Sequence, residues 1–112
     1  MSECIFCNII AGKIPAEKIY EDERFVAFRD IRPLYRVHLL IVPKEHLASV
    51  NEVGETACGS LDGIWLVARK VAERAGVAET GYRLAVNTGR DAGQVVMHFH
   101  MHLLAGETLR PL

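Results

Sequence analysis

Hydrophobic and polar positions alternate with a period of two in several short segments of the chain, a pattern typical of half-buried β-strands. From Tyr82 to Asn87 the larger apolar residues occupy every second position. Extended structure is also predicted to begin at Lys18 to Tyr20 and to cover Arg24 to Asp30 and Val37 to Val42, which are rich in Val, Ile and Phe. A last strand is predicted from about Gln94 to Leu104.

A period of three to four residues predicts one long helix. From Gly54 to Ala75 the apolar positions follow this spacing, and Gly76 is a natural end because glycine readily adopts the left-handed backbone found after helices. These apolar positions are Cys58, Leu61, Ile64, Trp65, Ala68, Val71, Ala72 and Ala75. A short N-terminal helix is predicted from Cys4 to Ala11. Short links between the paired strands favour an antiparallel sheet, so the predicted fold is an α+β domain.

Three histidines share one side of the last predicted strand. In Val95 to Leu104 the odd positions are all apolar, whereas His98, His100 and His102 occupy consecutive even positions. A strand places all three imidazoles on one side, while a helix would scatter them around its circumference. We therefore predict a strand whose apolar side faces the core and whose histidine side is solvated or functional.

These histidines admit three interpretations. A solvated face that carries histidine by chance is disfavoured, because three of the five histidines follow strict alternation. A metal site of all three is disfavoured by distance, since His98 and His102 would lie about 13 Å apart on an extended strand. The third interpretation is a nucleophile with flanking partners, because neutral imidazole exists at pH 7 and attacks phosphorus well. His100, the middle member, fits that role best.

Length and charge limit the class of ligand. The chain has 112 residues, half of them apolar, so a single domain over residues 1–112 is expected. It carries 13 Lys and Arg against 14 Asp and Glu, and it therefore lacks a basic field for long nucleic acid. A small ligand is expected instead. No apolar run approaches the length of a membrane span and the N-terminus does not read as a signal peptide, so a cytoplasmic location is predicted.

The cysteines indicate a second site. Three cysteines are an odd number, and in a reducing compartment free thiols or metal ligands are more common than structural disulfides. The Cys4-x-x-Cys7 pair alone fits a redox motif, but it precedes every predicted strand, unlike the thioredoxin arrangement. The alternative is a zinc site made by Cys4, Cys7, His46 and His98. Two interpretations of the cysteine pair stay open. One is a structural zinc site, and the other is two reduced thiols beside a surface histidine.

Several blocks of the sequence together resemble one known family. The run His98-Phe99-His100-Met101-His102-Leu103-Leu104 is similar at every position to the histidine triad (HIT) signature, in which histidines alternate with apolar residues. The resemblance to the Hint branch of that family extends over nearly the whole chain. It includes Cys4-Ile5-Phe6-Cys7, Ile14-Pro15-Ala16, Phe28-Arg29-Asp30-Ile31, His38 to Lys44, Gly81 to Asn87 and Gly93-Gln94.

The resemblance implies a fold, an assembly and an activity. It implies a HIT-like fold and a homodimer whose two sheets join edge to edge, each subunit holding a purine nucleotide such as AMP. The implied activity is hydrolysis of purine nucleoside phosphoramidates or related nucleotidyl compounds through a nucleotidyl-histidine intermediate, with no cofactor required for the chemistry. The alternatives are Fhit-like cleavage of dinucleoside polyphosphates, and a nucleotide- or zinc-binding interaction module with little turnover.

The resemblance also implies roles for individual polar residues. His100 would attack the α-phosphate, and His102 would stabilise the phosphoryl oxygens or assist protonation of the leaving group. His98 and His38 would fix the geometry of the imidazole. Asp30 would accept hydrogen bonds from both ribose hydroxyls, a task that suits a carboxylate because it only accepts. Some HIT relatives with the same cysteine pair bind zinc.

The remaining implied residues surround the base and the phosphate. The base would lie among Ile5, Phe6, Ile9, Phe28, Ile31 and Leu40, although each of these is equally suited to a core. Asn87, Gly93 and Gln94 would contact the phosphate and ribose. Val95 would lie beside the phosphate where Hint proteins often have Ser, so a hydroxyl that could reach the leaving group is absent.

Overall fold

The computed structural model of the protein describes residues 3–54 and 61–112. Within these residues, five strands form one antiparallel sheet with the order β1-β2-β3-β5-β4. The strands are β1 (Lys18–Glu21), β2 (Phe25–Arg29), β3 (Val37–Pro43), β4 (Tyr82–Ala85) and β5 (Met101–Ala105). The helices are α1 (Ile5–Ile10) and α2 (Ile64–Arg74). The predicted α+β class, antiparallel sheet, long helix and short N-terminal helix are confirmed.

Alternation along the central strands divides the core into two clusters. On β3, Leu39 and Ile41 belong to a larger cluster that includes the buried face of α2. The intervening Leu40 and Val42 belong to a smaller cluster that includes α1 residues. The two helices therefore cover opposite faces of the sheet, as the period of two requires.

β5 lies inside the sheet, between β3 and β4. His102 is opposite Leu40 of β3 and opposite Ala85 of β4. Pairing on both sides fixes the backbone of His102 more firmly than that of a residue in a loop. The sheet thus provides one histidine of the motif with a rigid base.

The long helix is shorter than predicted. α2 begins at Ile64 instead of Gly54, because Gly63 has a φ of 81°, a left-handed conformation that an α-helix does not include. Predicted positions 55–60, including Cys58, lie outside the described residues. Trp65 is 67% exposed although it was predicted to face the core. It lies about 100° around the helix from Ile64, at the margin of the buried stripe. The predicted end is confirmed, since Gly76 follows the helix with a φ of 75°.

The last strand is also shorter than predicted. β5 begins at Met101 instead of about Gln94, and its first paired residue lies opposite Ile41. The ladder does not continue toward Pro43, because proline has no N–H and the Pro43 carbonyl accepts a hydrogen bond from the His98 ring. His98 and the two residues after it therefore precede the strand.

This early departure from the sheet changes which side chains are buried. Val95 and Met97 were predicted to face the core, but Val95 is 87% exposed and Met97 is about half exposed. His98 and His100 were predicted on a solvated or functional side and are instead buried. The prediction that all three histidines lie on one strand is wrong, because only His102 belongs to β5.

The other predicted elements are confirmed, with shifts of one or two residues at their ends. The loop predicted from Thr88 to Gly93 contains a 3-10 turn, Arg90–Ala92, and a second such turn covers Val50–Glu52. The segment from Gly106 to Leu112 is irregular, as expected. Among the described residues, no helix combines the length and apolar character needed to cross a membrane.

Candidate active site

The segment before β5 holds the His100 ring in one orientation. His100 Nδ1 lies 2.8 Å from the carbonyl oxygen of His98. A carbonyl only accepts, so the proton of the neutral ring is on Nδ1 and Nε2 has a lone pair. The ring also packs edge-on against Phe6, at 5.1 Å between centroids, and against His102, at 5.0 Å. Nε2 of His100 therefore carries the lone pair that a nucleophile would need.

A second chain of hydrogen bonds sets the tautomer of His102. The backbone N–H of Leu34 donates to His38 Nδ1 at 3.0 Å, so the proton of His38 must be on Nε2. His38 Nε2 then donates to His102 Nδ1 at 2.9 Å. The proton of His102 is consequently on its own Nε2. This places a hydrogen-bond donor next to the His100 ring, whose centroid is 5.0 Å from that of His102.

Burial keeps His38 and His102 neutral. Burial, together with smaller effects of the neighbouring His100 and His38 and against the opposing effect of Asp30, lowers the pKa of His102 to about 4. The pKa of His38 is also lowered by burial and partly raised by Asp30. At neutral pH His102 is therefore uncharged, and its Nε2–H is available as a donor rather than as part of a cation.

Asp30, the residue after β2, lies beside this chain of hydrogen bonds. Its Oδ2 lies 3.5 Å from His38 Nε2, and its Oδ1 accepts the backbone N–H of Arg32 at 2.8 Å. Ligand atoms of Asp30, His38 and His102 all lie within 4.8 Å of one another, the spacing of a metal site. The Leu34 amide argues against one, because a metal on His38 Nε2 would require both ring nitrogens to be unprotonated. We assign this group to hydrogen bonding.

The residues predicted to hold the base divide between a buried cluster and the surface. Phe6, Ile9, Phe28 and Leu40 are brought together in the smaller cluster, on the same face of the sheet as α1. Phe6 links this cluster to the histidines, because its ring contacts both His98 and His100. The other two predicted residues are more exposed: Ile5 lies at the first turn of α1, and Ile31 is 88% exposed beside Asp30.

Gln94 has a different local role from the one predicted. Its side chain is buried, and its Oε1 accepts the N–H of Gly89 at 2.9 Å. Its Nε2 donates to the carbonyls of Ala48, at 2.7 Å, and Val96, at 3.0 Å. Both amide hydrogens are used, so the side-chain donor predicted for a phosphate oxygen instead braces the loop. Gly93, just before it, has a φ of 86°, and Asn87 is half-buried after β4.

The four predicted metal ligands are brought together beside the histidine segment. His98 Nε2 donates to the Pro43 carbonyl at 2.8 Å, which leaves the lone pair on Nδ1. This Nδ1 lies 3.3 Å from Cys4 Sγ, 3.5 Å from Cys7 Sγ and 3.0 Å from His46 Nδ1. Cys7 Sγ is 3.3 Å from His46 Nδ1.

This donor set fits zinc. Bonds of about 2.3 Å to sulfur and 2.0 Å to nitrogen in a tetrahedron give ligand-to-ligand separations of about 3.3–3.7 Å. The separations in the cluster, 3.0 to 3.5 Å, are close to these values. Burial raises the pKa of the Cys7 thiol, and Cys4 raises it further, so two adjacent thiolates need a cation to be stable. His98 would be both a metal ligand and the residue whose carbonyl orients His100.

Sequence reasoning did not identify the backbone groups of this site. The Leu34 amide and the carbonyls of Pro43 and His98 set the tautomers of three imidazoles. Backbone groups have no signature in residue type, so no sequence signal would have located them. Pro43 alone is marked, because proline at the end of an apolar segment indicates where a strand loses its ladder.

Comparison with known proteins places this geometry in one family. The HIT domain model matches residues 11–109. A purine nucleoside phosphoramidase of Escherichia coli (strain K12) is 46% identical over 98% of this chain and 92% of its own length. A HIT family hydrolase from Clostridium thermocellum is 48% identical with a TM-score of 0.94, over 100% of this chain and 97% of that chain. A Zn-bound histidine triad family protein from Mycobacterium smegmatis is 34% identical with a TM-score of 0.75, over 91% and 73% respectively.

Proposed function

This chain belongs to the HIT domain family, and from that premise we propose that it is a hydrolase that releases a purine nucleoside monophosphate from nucleoside phosphoramidates or related nucleotidyl compounds. The observation that carries the proposal is the fixed tautomer of His100, whose Nδ1 donates to the His98 carbonyl. A protein that only bound nucleotide would not need an oriented nucleophile. The 46% sequence identity with a phosphoramidase favours this activity over cleavage of dinucleoside polyphosphates.

The reaction follows from the two tautomers. His100 Nε2 attacks the α-phosphorus, the bond from phosphorus to the leaving nitrogen breaks, and the departing amine takes up a proton. As the ring of His100 becomes positive, the hydrogen bond from Nδ1 to the His98 carbonyl strengthens. Nε2–H of His102 donates to the phosphoryl oxygens or to the leaving group. Water then displaces His100 and releases the nucleotide.

The nucleotide would lie across the smaller cluster. Phe6, Ile9, Phe28 and Leu40 would contact the base, with Ile5 and Ile31 closing over it from the surface, where their exposure would fall on binding. Asp30 would accept hydrogen bonds from the ribose hydroxyls. Asn87 and the segment Gly93–Val95 would lie at the phosphate, with Gln94 shaping the loop through its three hydrogen bonds.

We further propose that Cys4, Cys7, His46 and His98 hold one structural zinc ion. The support is the compact set of four ligand atoms, all within 4.8 Å of one another, together with a Zn-bound relative. Zinc would link the N-terminus of α1 to the segment that carries His100, and it would supply no step of the reaction. Metal analysis should find about one zinc per chain in the wild type and in Cys58→Ser, and much less in Cys7→Ser. Equal zinc in all three proteins would contradict the site.

A homodimer is proposed through the free edge of β4. The other edge strand, β1, is interrupted by a bulge, and Arg74 Nη1 donates to the Ile19 carbonyl there at 3.1 Å. Bulges and covered carbonyls discourage pairing at an edge, whereas the pairing of β4 with β5 is regular. Sedimentation should give a dimer, and hydrogen exchange of β4 amides should accelerate when dilution yields monomer. A monomer at all concentrations would contradict this assembly.

The domain extent and the location complete the proposal. One domain over the whole chain is supported by residues before the matched range, because Phe6 and Cys4 belong to the pocket and to the metal cluster. A cytoplasmic location is supported by the presence of Cys4 and Cys7 as thiols, the form that a reducing compartment maintains. Cell fractionation would test it.

The function is tested by incubating the purified protein with an adenosine 5′-phosphoramidate. AMP release, measured by chromatography, is expected from the wild type and not from His100→Ala. Binding of AMP to the variant, measured by calorimetry, shows whether the pocket is intact. No release from either protein despite tight AMP binding would favour a binding module, and cleavage of a dinucleoside polyphosphate alone would favour the Fhit-like activity.

A further inference from the structure

His98 connects the cysteine pair to the nucleophile. Its ring contacts both sulfurs through Nδ1 and the Pro43 carbonyl through Nε2, and its own carbonyl accepts from His100 Nδ1. The residue is completely buried. It therefore has little freedom to change one of these contacts without changing the others, and the state of the sulfurs is coupled to the orientation of His100.

Both thiols are accessible to small molecules. Cys4 lines a surface cleft of about 350 Å³ together with Glu3, Ile5, Val95, Val96 and Met97. Cys7 is only partly buried and contacts the exposed His46. A reagent the size of hydrogen peroxide can therefore approach the pair from solvent.

The two sulfurs are also close enough to react with each other. Cys4 caps α1, and its Sγ accepts the backbone N–H of Cys7 at 3.4 Å. Both sulfurs contact the same imidazole nitrogen, and they lie within 4.8 Å of each other. A disulfide requires a separation of about 2.05 Å, which a small rotation of the two side chains on one helical turn can supply.

We propose that Cys4 and Cys7 form an oxidation site at which a hydroperoxide creates a disulfide and thereby inactivates His100. The thiolate of Cys4 attacks the peroxide, so that an S–O bond forms, the O–O bond breaks, and the departing oxygen takes up a proton. Cys7 then attacks the Cys4 sulfur, the S–O bond breaks, and hydroxide leaves as water. Two thiols lose two electrons to the peroxide, and any zinc held by the thiolates is released.

The disulfide removes the two sulfur partners of His98 Nδ1. Disulfide sulfur is a poor metal ligand and a poor acceptor compared with a thiolate, so the ring keeps its bond to the Pro43 carbonyl and its 3.0 Å contact with His46 Nδ1. The His98 carbonyl shifts with its ring, and the imidazole of His100 loses its orientation. Phe28, Leu40 and Asp30 lie outside the cysteine pair, whereas Ile5 and Phe6 lie within it, so turnover should fall much more than AMP affinity.

The test uses the Cys58→Ser protein, in which the pair supplies the remaining thiols. Treatment with hydrogen peroxide should give an intramolecular disulfide that joins the peptides of Cys4 and Cys7 in a mass spectrum, with release of zinc to a coloured chelator. The activity readout rests on the proposed function: kcat for AMP release should fall about tenfold to a hundredfold, with a much smaller change in Kd for AMP. Dithiothreitol with Zn²⁺ should restore kcat. Thiol reductants do not repair methionine sulfoxide, so recovery would separate the disulfide from oxidation of the exposed Met97.

A second variant separates the pair from other oxidation. Cys4→Ser/Cys7→Ser in the Cys58→Ser background has no thiol left to oxidise, so peroxide should cause no loss that dithiothreitol reverses. The proposal is overturned by a disulfide that forms without loss of kcat, by exposure to peroxide that forms no disulfide, or by an equal reversible loss in this variant. An untreated Cys58→Ser protein that binds AMP but releases none would refute the hydrolase function instead, while disulfide and zinc remain measurable.

Discussion

At the scale of single residues, the chemistry depends on which nitrogen of each imidazole carries the proton. Hydrogen bonds to three backbone groups set the protonated nitrogen of His38, His98 and His100. The hydrogen bond from His38 then sets the protonated nitrogen of His102. The result is a lone pair on His100 Nε2 and a donor on His102 Nε2. In the proposed reaction these are the nucleophile and the donor for the developing charge, and both are in place before substrate binds.

His38 should be replaceable only by a residue that preserves the donor. In His38→Leu, His102 loses its donor and the Leu34 amide is left unpaired, so we expect kcat to fall about tenfold to a hundredfold. His38→Gln keeps an amide N–H near the position of Nε2 and should recover part of that loss. Steady-state kinetics on both variants measures the effect, with AMP affinity as the check on folding. An unchanged kcat in His38→Leu would contradict the assigned tautomers.

Acid should destabilise the protein through His102. Its pKa is lowered from 6.5 to about 4 in the folded state, so the unfolded chain binds the proton more tightly. The stabilising contribution is complete above pH 6.5 and is lost as the pH falls toward 4, by about 3 kcal/mol at most. Urea unfolding at pH 7 and pH 4.5 should show a smaller difference in unfolding free energy for His102→Asn than for the wild type. An equal difference would mean that His102 does not titrate with this shift.

At the scale of elements, β5 combines the core with the site. Leu103 is fully buried in the larger cluster, next to His102 on the strand. Leu103→Ala should lower the free energy of unfolding by about 2–5 kcal/mol, because it removes buried methyl groups and leaves a cavity. The matched control is Leu34→Ala, whose side chain is 71% exposed and whose backbone amide is retained. Denaturant unfolding that gives equal losses for the two variants would contradict the position of Leu103.

The accuracy of the sequence predictions depends on what determines each element. β2 and β3 were predicted from their content of Val, Ile and Phe and β4 from alternation, because both signals are local properties of the sequence. The start of β5 was not, because it depends on the Pro43 carbonyl, which lies on another strand and is occupied by the His98 ring. The start of α2 was missed because glycine at position 63 permits, but does not require, a left-handed backbone.

The sequence predicted which residues belong to the candidate site better than it predicted how they are arranged. Alternation and the family resemblance identified the histidines, Asp30 and both cysteines, and the structure brings them into two connected groups. The structure differs at Gln94, whose amide is used within its loop. The pattern contained no information about burial of His98 and His100, because both were assumed to lie on a strand face.

At the scale of the whole molecule, the metal cluster joins distant parts of the chain. Cys4 and Cys7 belong to the N-terminus, His46 follows β3, and His98 precedes β5. Bound zinc would therefore hold three segments together, and binding to the folded state alone stabilises that state.

Removal of zinc should consequently lower Tm. A strong chelator is expected to reduce Tm by several degrees in the wild type, and added Zn²⁺ should restore it. Cys58→Ser should respond like the wild type, whereas Cys7→Ser should start at the lower Tm and not respond. Scanning calorimetry measures these shifts. A response of Cys7→Ser equal to that of the wild type would place the stabilising metal elsewhere.

The most direct test of the account is to trap the covalent intermediate. The protein is mixed with an adenosine 5′-phosphoramidate, quenched within the first turnover in alkaline denaturant, digested and analysed by mass spectrometry. The account predicts an adenylyl group on the peptide that carries His100, assigned to that residue by fragmentation and missing from His100→Ala. An adenylyl group on another residue, or steady turnover by His100→Ala, would contradict it.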